Sequence, residues 1–179
     1  MIPLPTEVSS LAPLADALDA ASPEDRIAWL RRLGRSDMVA VWKLTAGNPV
    51  DIPYFHGQEG EVVIHEGKNS LPLFNQFQKR FVLRNGAVQG YNHQANAWFT
   101  GPGHFTMFAM GDEVVIDYLK IPTNIPSEFP PLQDNMAGFS RFVYGGTQDW
   151  CRRISKHSII GEARRGDKPI GAYFVLVRP

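Results

Sequence analysis

Residues 104–121 read "HFTMFAMGDEVVIDYLKI", and this stretch decides the fold. Two runs rich in β-branched and aromatic residues flank Gly111-Asp112. A turn pair between two such runs predicts a hairpin of strands 104–110 and 113–121. The same pattern extends in both directions. "EVVIH", "NQFQKRFVLR" and "GAVQGYN" precede it, with Asn85-Gly86, the preferred type I′ pair, between the last two. "SRFVY", "DWCRRISKHS", "IIGEARR" and "GAYFVLVRP" follow, with Gly166-Asp167 between the last two. Strands joined by tight turns are antiparallel neighbours. About seven to nine of them in one domain predict a closed antiparallel barrel or a sandwich, and the barrel is the reading adopted here.

The first third reads as helix. "LAPLADALDA" sets Leu11, Leu14 and Leu18 at helical spacing. "SPEDRIAWLRRLG" has Ser22 to cap the first turn, Pro23 at its first position and acidic Glu24 and Asp25 at the positive end of the helix dipole. Ile27 and Leu30 mark its stripe and Gly34 its stop. "SDMVAVWKLTAG" repeats the pattern, with Met38, Val41 and Trp42 on one face. Two or three short amphipathic helices cannot bury their stripes alone and need a sheet to lie on. The expectation is an α+β, mainly β, single domain over 1–179. Residues 1–47 form a helical segment packed on or across one end of a barrel spanning 60–179. Four prolines within 122–138, "PTNIPSEFPPLQDNMAG", rule out a regular ladder there. That stretch reads as a long loop over one barrel end, a lid.

Composition narrows the function classes. Lys+Arg and Asp+Glu both number 18, so no net field draws nucleic acid or an anionic membrane. Basic residues interleave with aromatics in "QFQKRFVLR" and "DWCRRISKHS", but in a neutral chain this reads as the solvated face of a sheet. Cys151 is the one cysteine, which excludes an intrachain disulfide and a cysteine zinc site. The N-terminus lacks the basic start and apolar stretch of a signal peptide, and no run has the length of a membrane span. The expected setting is cytoplasmic.

The candidate chemistry lies around residues 90–119. On "EVVIDYLKI", Val115, Asp117 and Leu119 share one face, and Val114, Ile116 and Tyr118 the other. An inward Asp117 would be desolvated: a general base, or one half of an ion pair with Arg141 or Arg153. "FTGPGHF" is a tight bend into a strand. It lacks the Gly-Lys-Ser/Thr end of a phosphate loop and the spacing of a dinucleotide loop. His56, His65, His93, His104 and His157 include no pair at tight metal spacing, so solvated or capping roles outweigh a metal or haem site. His157 follows Cys151, Arg153 and Ser155 on one strand face and could look into a polar interior. Cys151 beside Arg152 and Arg153 could have a lowered pKa, though a nucleophile needs a base as well. Arg165-Gly166-Asp167 reads as a hairpin turn.

The closing "RGDKPIGAYFVLVR" resembles the last hairpin of plastid-lipid-associated (fibrillin) proteins, and the order of helices then hairpins resembles a lipocalin-like barrel. The Gly-x-Trp opening of a lipocalin first strand is absent. The resemblance implies an apolar ligand inside the barrel and transfers no catalytic residue. Three functions stay open: binding of a small hydrophobic molecule; a cofactor-independent isomerase or cyclase acting on a hydrophobic, polyketide- or terpenoid-like substrate; and a structural protein with a filled barrel. The candidate catalytic residues are Asp117 or His157 as base, with Tyr118, Tyr91 or Arg141 steadying an oxyanion. Tyr91, His93, Trp98 and His104 are candidate ligand contacts, as are Phe105, Arg141 and Tyr144. No metal, no cofactor and no nucleic-acid partner is expected.

Overall fold

In the computed structural model, which describes residues 1–72, 75–94 and 100–179, eight antiparallel strands close into a barrel. They are β1 (Val62–Asn69), β2 (Gln76–Arg84), β3 (Ala87–His93), β4 (Phe105–Met110), β5 (Glu113–Asp117), β6 (Thr147–Arg153), β7 (Ser158–Arg165) and β8 (Lys168–Val177). Each strand pairs with its neighbour in sequence, and β1 pairs with β8 to close the ring, Glu66 opposite Val177 and Asn69 opposite Phe174. The expected hairpin is β4–β5, with Met110 opposite Glu113. Asn85 and Gly86 take φ values of 52° and 74°, the pair of positive angles a type I′ turn requires.

Three helices, α1 (Leu11–Ala20), α2 (Pro23–Arg32) and α3 (Arg35–Leu44), lie on the outside of the barrel wall. The Ser22 hydroxyl accepts from the Asp25 amide at the start of α2. Leu33, not Gly34, ends α2; Gly34 begins α3, where its amide donates to the Asp37 carboxylate at 2.8 Å. The apolar stripes of Leu14 and Leu18, Trp29 and Leu30, and Met38 and Val41 converge on the outward Ile160, Val175 and Val177. The helices therefore cover β7 and β8 from the side rather than capping an end.

One end of the barrel is shut. Residues 52–55 form a short 3-10 turn that drives Tyr54 and Phe55 into the interior against Phe81, Val88, Ile159 and Leu176. Asp51 pairs with Arg153 at 2.6 Å, and Arg178 donates to the Tyr54 carbonyl, fastening this plug to the strand ends.

Three expectations are corrected. "SRFVY" is not a strand: Ser140–Val143 forms a single helical turn, α4, leading into β6. β5 ends at Asp117, because its carboxylate accepts the Leu119 amide at 3.0 Å and turns the chain outward. Residues 122–138 do not lie over a barrel end. Phe129 packs on the outward faces of Val82 and Tyr91, and Asn135 donates to the carbonyls of His104 and Tyr118, so the segment clads the wall beside β2–β4.

Candidate functional site: a buried lysine at the floor of the open end

The period of two along β2 turns Phe77, Lys79, Phe81 and Leu83 to the interior, and Lys79 is the one charged residue in that set. Its side chain is 2% exposed. An isolated ammonium there would be untenable, and four groups answer it. Asp149, inward on β6, places Oδ2 3.2 Å from Nζ. Asn92, inward on β3, accepts through Oδ1 at 2.9 Å. The Tyr118 hydroxyl accepts from Nζ and itself donates to Asp149 Oδ2 at 3.2 Å. The fourth is aromatic: the rings of Phe77, Phe105, Tyr118 and Phe174 stand with centroids 4.8 to 5.7 Å from Nζ.

Glycine makes this collar possible. The inward positions Gly67, Gly90 and Gly161 lie directly beneath Phe77, Phe105 and Phe174, and a Cβ at any of the three would collide with the ring above it. The rings thus lean across the strands and meet around the amine. Burial pushes the Lys79 ammonium below the ordinary lysine value, and the Asp149 charge opposes that push. Burial and the same carboxylate hold the Tyr118 phenol well above its ordinary value, so it keeps its proton. Because Lys79 and Asp149 balance, the cluster as a whole is neutral when both are ionised.

Above the cluster the barrel is open. A cavity of about 270 Å³ extends from Lys79, Asn92, Tyr118 and Asp149 to the strand ends, with Phe77, Phe174, Ala163 and Ala172 in its walls. Leu71, Phe142, Val143 and Ile170 form an apolar, solvent-exposed rim. Tyr144 stacks on Tyr118 at 5.2 Å, and its hydroxyl accepts from Gln94 at 2.8 Å. A larger cleft of about 420 Å³ between α1, α2 and the N-terminus is lined by Ile2, Ala17, Ala21 and Trp29, with Asp25 and Arg32 as its charged side chains. Among the described residues no cluster of three or more His, Cys, Asp or Glu is arranged to hold a metal. No described helix is long and apolar enough to cross a membrane.

The candidates named from sequence scatter. Tyr118 faces the cavity, Tyr144 lines it, and Phe105 helps to collar the amine. Asp117 is turned the other way, correcting the expected inward orientation; it accepts from Leu119 and from Gln148 Nε2, and meets neither Arg141 nor Arg153. His157 is not on a strand. It lies in the β6–β7 turn at the shut end, its carbonyl accepting from the Arg178 amide. Tyr91 faces outward beneath Phe129, and His104 also lies outside, with Nε2 3.3 Å from the Pro131 carbonyl. His93 is exposed at the end of β3, and Arg141 lies over the Phe142 ring. Trp98 lies outside the described residues. Cys151 is inward and fully buried, and burial beside Asp149 raises its thiol pKa rather than lowering it. Its neighbour Arg152 points outward to Glu113 and the Trp42 ring.

The residues that sequence reasoning missed are Lys79, Asp149 and Asn92. The signal was present: each is the polar member of an inward set, between Phe77 and Phe81, beside Cys151, and beyond Val88 and Gly90. Comparison with known proteins adds no assignment: no family model, no curated protein and no solved structure matches this chain.

Proposed function

We propose that the barrel binds a small, largely apolar molecule, taken up through the open end and held by its polar group on the Lys79 cluster. The observation that carries this reading is the pairing of an apolar-walled cavity of about 270 Å³ with four convergent polar side chains at its floor. Ligand sites have this composition: apolar walls for affinity, a few placed polar groups for orientation. The neutrality of the cluster selects against an anionic head, whose charge would be buried without a counter-ion, and in favour of a carbonyl or hydroxyl. The lipocalin-like and fibrillin-like resemblance of the sequence points the same way and belongs to the proposal.

The cluster also favours a second reading, a cofactor-independent isomerase or cyclase. Asp149 is a buried carboxylate 3.2 Å from a phenol that retains its proton. A base beside a hydrogen-bond donor is the minimum set for moving a proton next to a carbonyl.

Binding is tested with a neutral fluorescent probe, N-phenyl-1-naphthylamine, displaced by octanol, and with an Ala163→Phe variant that fills the cavity. The proposal expects saturable binding to the native chain and a loss of at least about tenfold in the variant. Equal binding by both proteins would place the probe elsewhere and overturn it.

A further inference from the structure

We infer that Lys79 is an amine nucleophile that condenses with the carbonyl carbon of an aldehyde or ketone ligand to form a protonated imine inside the barrel. The inference rests on the ligand-binding reading above and names the chemical class of the ligand. Three observations carry it. Lys79 lines the cavity that opens at the strand ends, so a molecule entering there would reach this residue. It is surrounded by the groups that imine formation requires, at bonding distance. And its collar of four ring faces stabilises a cation at that point whether the cation is an ammonium or an imine. A lysine held only for structure needs a counter-ion; it does not need a proton-holding phenol and an open approach as well.

The chemistry balances with the groups present. Asp149 Oδ2 takes one proton from the ammonium across 3.2 Å, leaving a free amine. The nitrogen lone pair attacks the carbonyl carbon, and the C=O π electrons move to oxygen, which takes the Tyr118 proton. Tyr118 is reprotonated by Asp149 along their 3.2 Å hydrogen bond. Asp149 then accepts a second proton from the nitrogen. The carbinolamine hydroxyl leaves as water, with that proton returned through Tyr118. In sum, the lysine ammonium and the carbonyl compound become a protonated imine and one water, with no oxidant or reductant. Asn92, whose Nδ2 also reaches the Tyr118 hydroxyl at 3.1 Å, fixes the phenol in place and acts as a positioning residue. The cation that results stays beside the Asp149 carboxylate, so the net charge of the cluster does not change. Burial lowers the lysine pKa and raises the share of free amine at neutral pH about tenfold for each pH unit of lowering.

The test uses the native protein with octanal and sodium cyanoborohydride, which converts an imine to a stable secondary amine, followed by peptide mapping by mass spectrometry. Octanol binding is measured alongside by displacement of the neutral probe. The expected result at equimolar octanal is one octyl group per chain, on Lys79, at least about tenfold above any other lysine. Label on Lys79 should vanish in Ala163→Phe, whose cavity is filled, and should be suppressed in the native chain by excess octanol, which competes for the same cavity. Octanol binding with no label on Lys79, or with label spread evenly over surface lysines, overturns the imine and leaves the binding reading standing. Failure of both octanol binding and labelling overturns the two together.

Discussion

His65 is buried at the shut end of the barrel with its ring enclosed by Tyr54, Phe55 and Phe81, at centroid distances of 5.6, 6.1 and 4.9 Å. Among the described residues, neither ring nitrogen makes a well-formed hydrogen bond, the Phe55 backbone offering only a weak one. Burial, with the nearby Arg178 charge, lowers its pKa from 6.5 to about 3, and the Phe55 backbone offsets little of this. The folded state therefore holds the neutral ring, while the unfolded chain protonates at the ordinary value. A group whose pKa is depressed on folding contributes stability that is fully present above the unfolded pKa and is lost as pH falls toward the folded one. For His65 the window runs from 6.5 down to about 3. Lowering the pH from about 7 to about 4.5 should therefore remove about 2 to 3 kcal/mol through this one residue. Carboxylates elsewhere titrate in part of the same range, so the measurement is a difference. Urea unfolding of the native chain and of His65→Phe, followed by tryptophan fluorescence at both pH values, isolates the histidine. Phenylalanine fills the same aromatic enclosure and removes both ring nitrogens. The variant should match or exceed the native stability at neutral pH and should lead it by about 2 to 3 kcal/mol more in acid. Stability curves that stay parallel between the two pH values would refute the argument, because they would mean that the folded protein accommodates the charged imidazole.

Removing the amine alone is expected to be more damaging than removing the pair. Lys79→Met strands Asp149 and should lower the unfolding free energy by about 3 to 5 kcal/mol, whereas Lys79→Met/Asp149→Asn should recover most of it; equal losses in chemical denaturation would contradict the pairing. Gly161→Ala sets a methyl group against the Phe174 ring and should destabilise by about 1 to 3 kcal/mol, with partial rescue by Phe174→Leu; a neutral substitution would show that the ring moves freely. Asn135→Ala leaves the buried carbonyls of His104 and Tyr118 without a donor, each worth about 1 to 3 kcal/mol. Limited proteolysis should then cut within 122–138 faster than in the native chain, and an unchanged rate would mean that Asn135 does not anchor that segment.

The barrel was legible because its turns are spelled in residue types that few other structures tolerate. Asn85-Gly86 and Gly111-Asp112 each fix an antiparallel pair, and the helices announce themselves through Ser22 and their stripes. Where reading failed, the physics was ambiguous or nonlocal. Both faces of β5 are buried, Val114 and Ile116 inward and Val115 outward, so alternation gave the order of faces without saying which one held the interior. Asp117 was assigned to the wrong side on that account. "SRFVY" has strand composition, yet only four of its residues are regular, and they make a helical turn at the cavity rim. Lys79 was hidden by its neighbours: in Gln-Lys-Arg three polar residues in a row read as a solvated face, and only Phe77 and Phe81 reveal that the middle one points in. Asp149 is 70 residues from Lys79. No local pattern pairs them, because the pairing exists only once ring closure sets β2 across the interior from β6.

The seam of that ring has a mechanical meaning. Seven of the eight strand pairings join sequence neighbours and can form by zipping, one hairpin on the next. The β1–β8 pairing alone must wait for the whole meander, and its register of Glu66 to Asn69 against Phe174 to Val177 is short. α2 lies across this junction: Lys68 of β1 donates through Nζ to the Arg31 carbonyl at its C-terminal end, while Trp29 and Leu30 belong to the apolar cluster that includes Val175 and Val177 of β8. The helical layer therefore acts as a clasp on a hoop. A chain lacking residues 1–47 should keep its hairpins and lose the hoop, with amides of β1 and β8 the first to exchange with deuterium and the Lys79 collar slackening as Phe174 swings away with its strand.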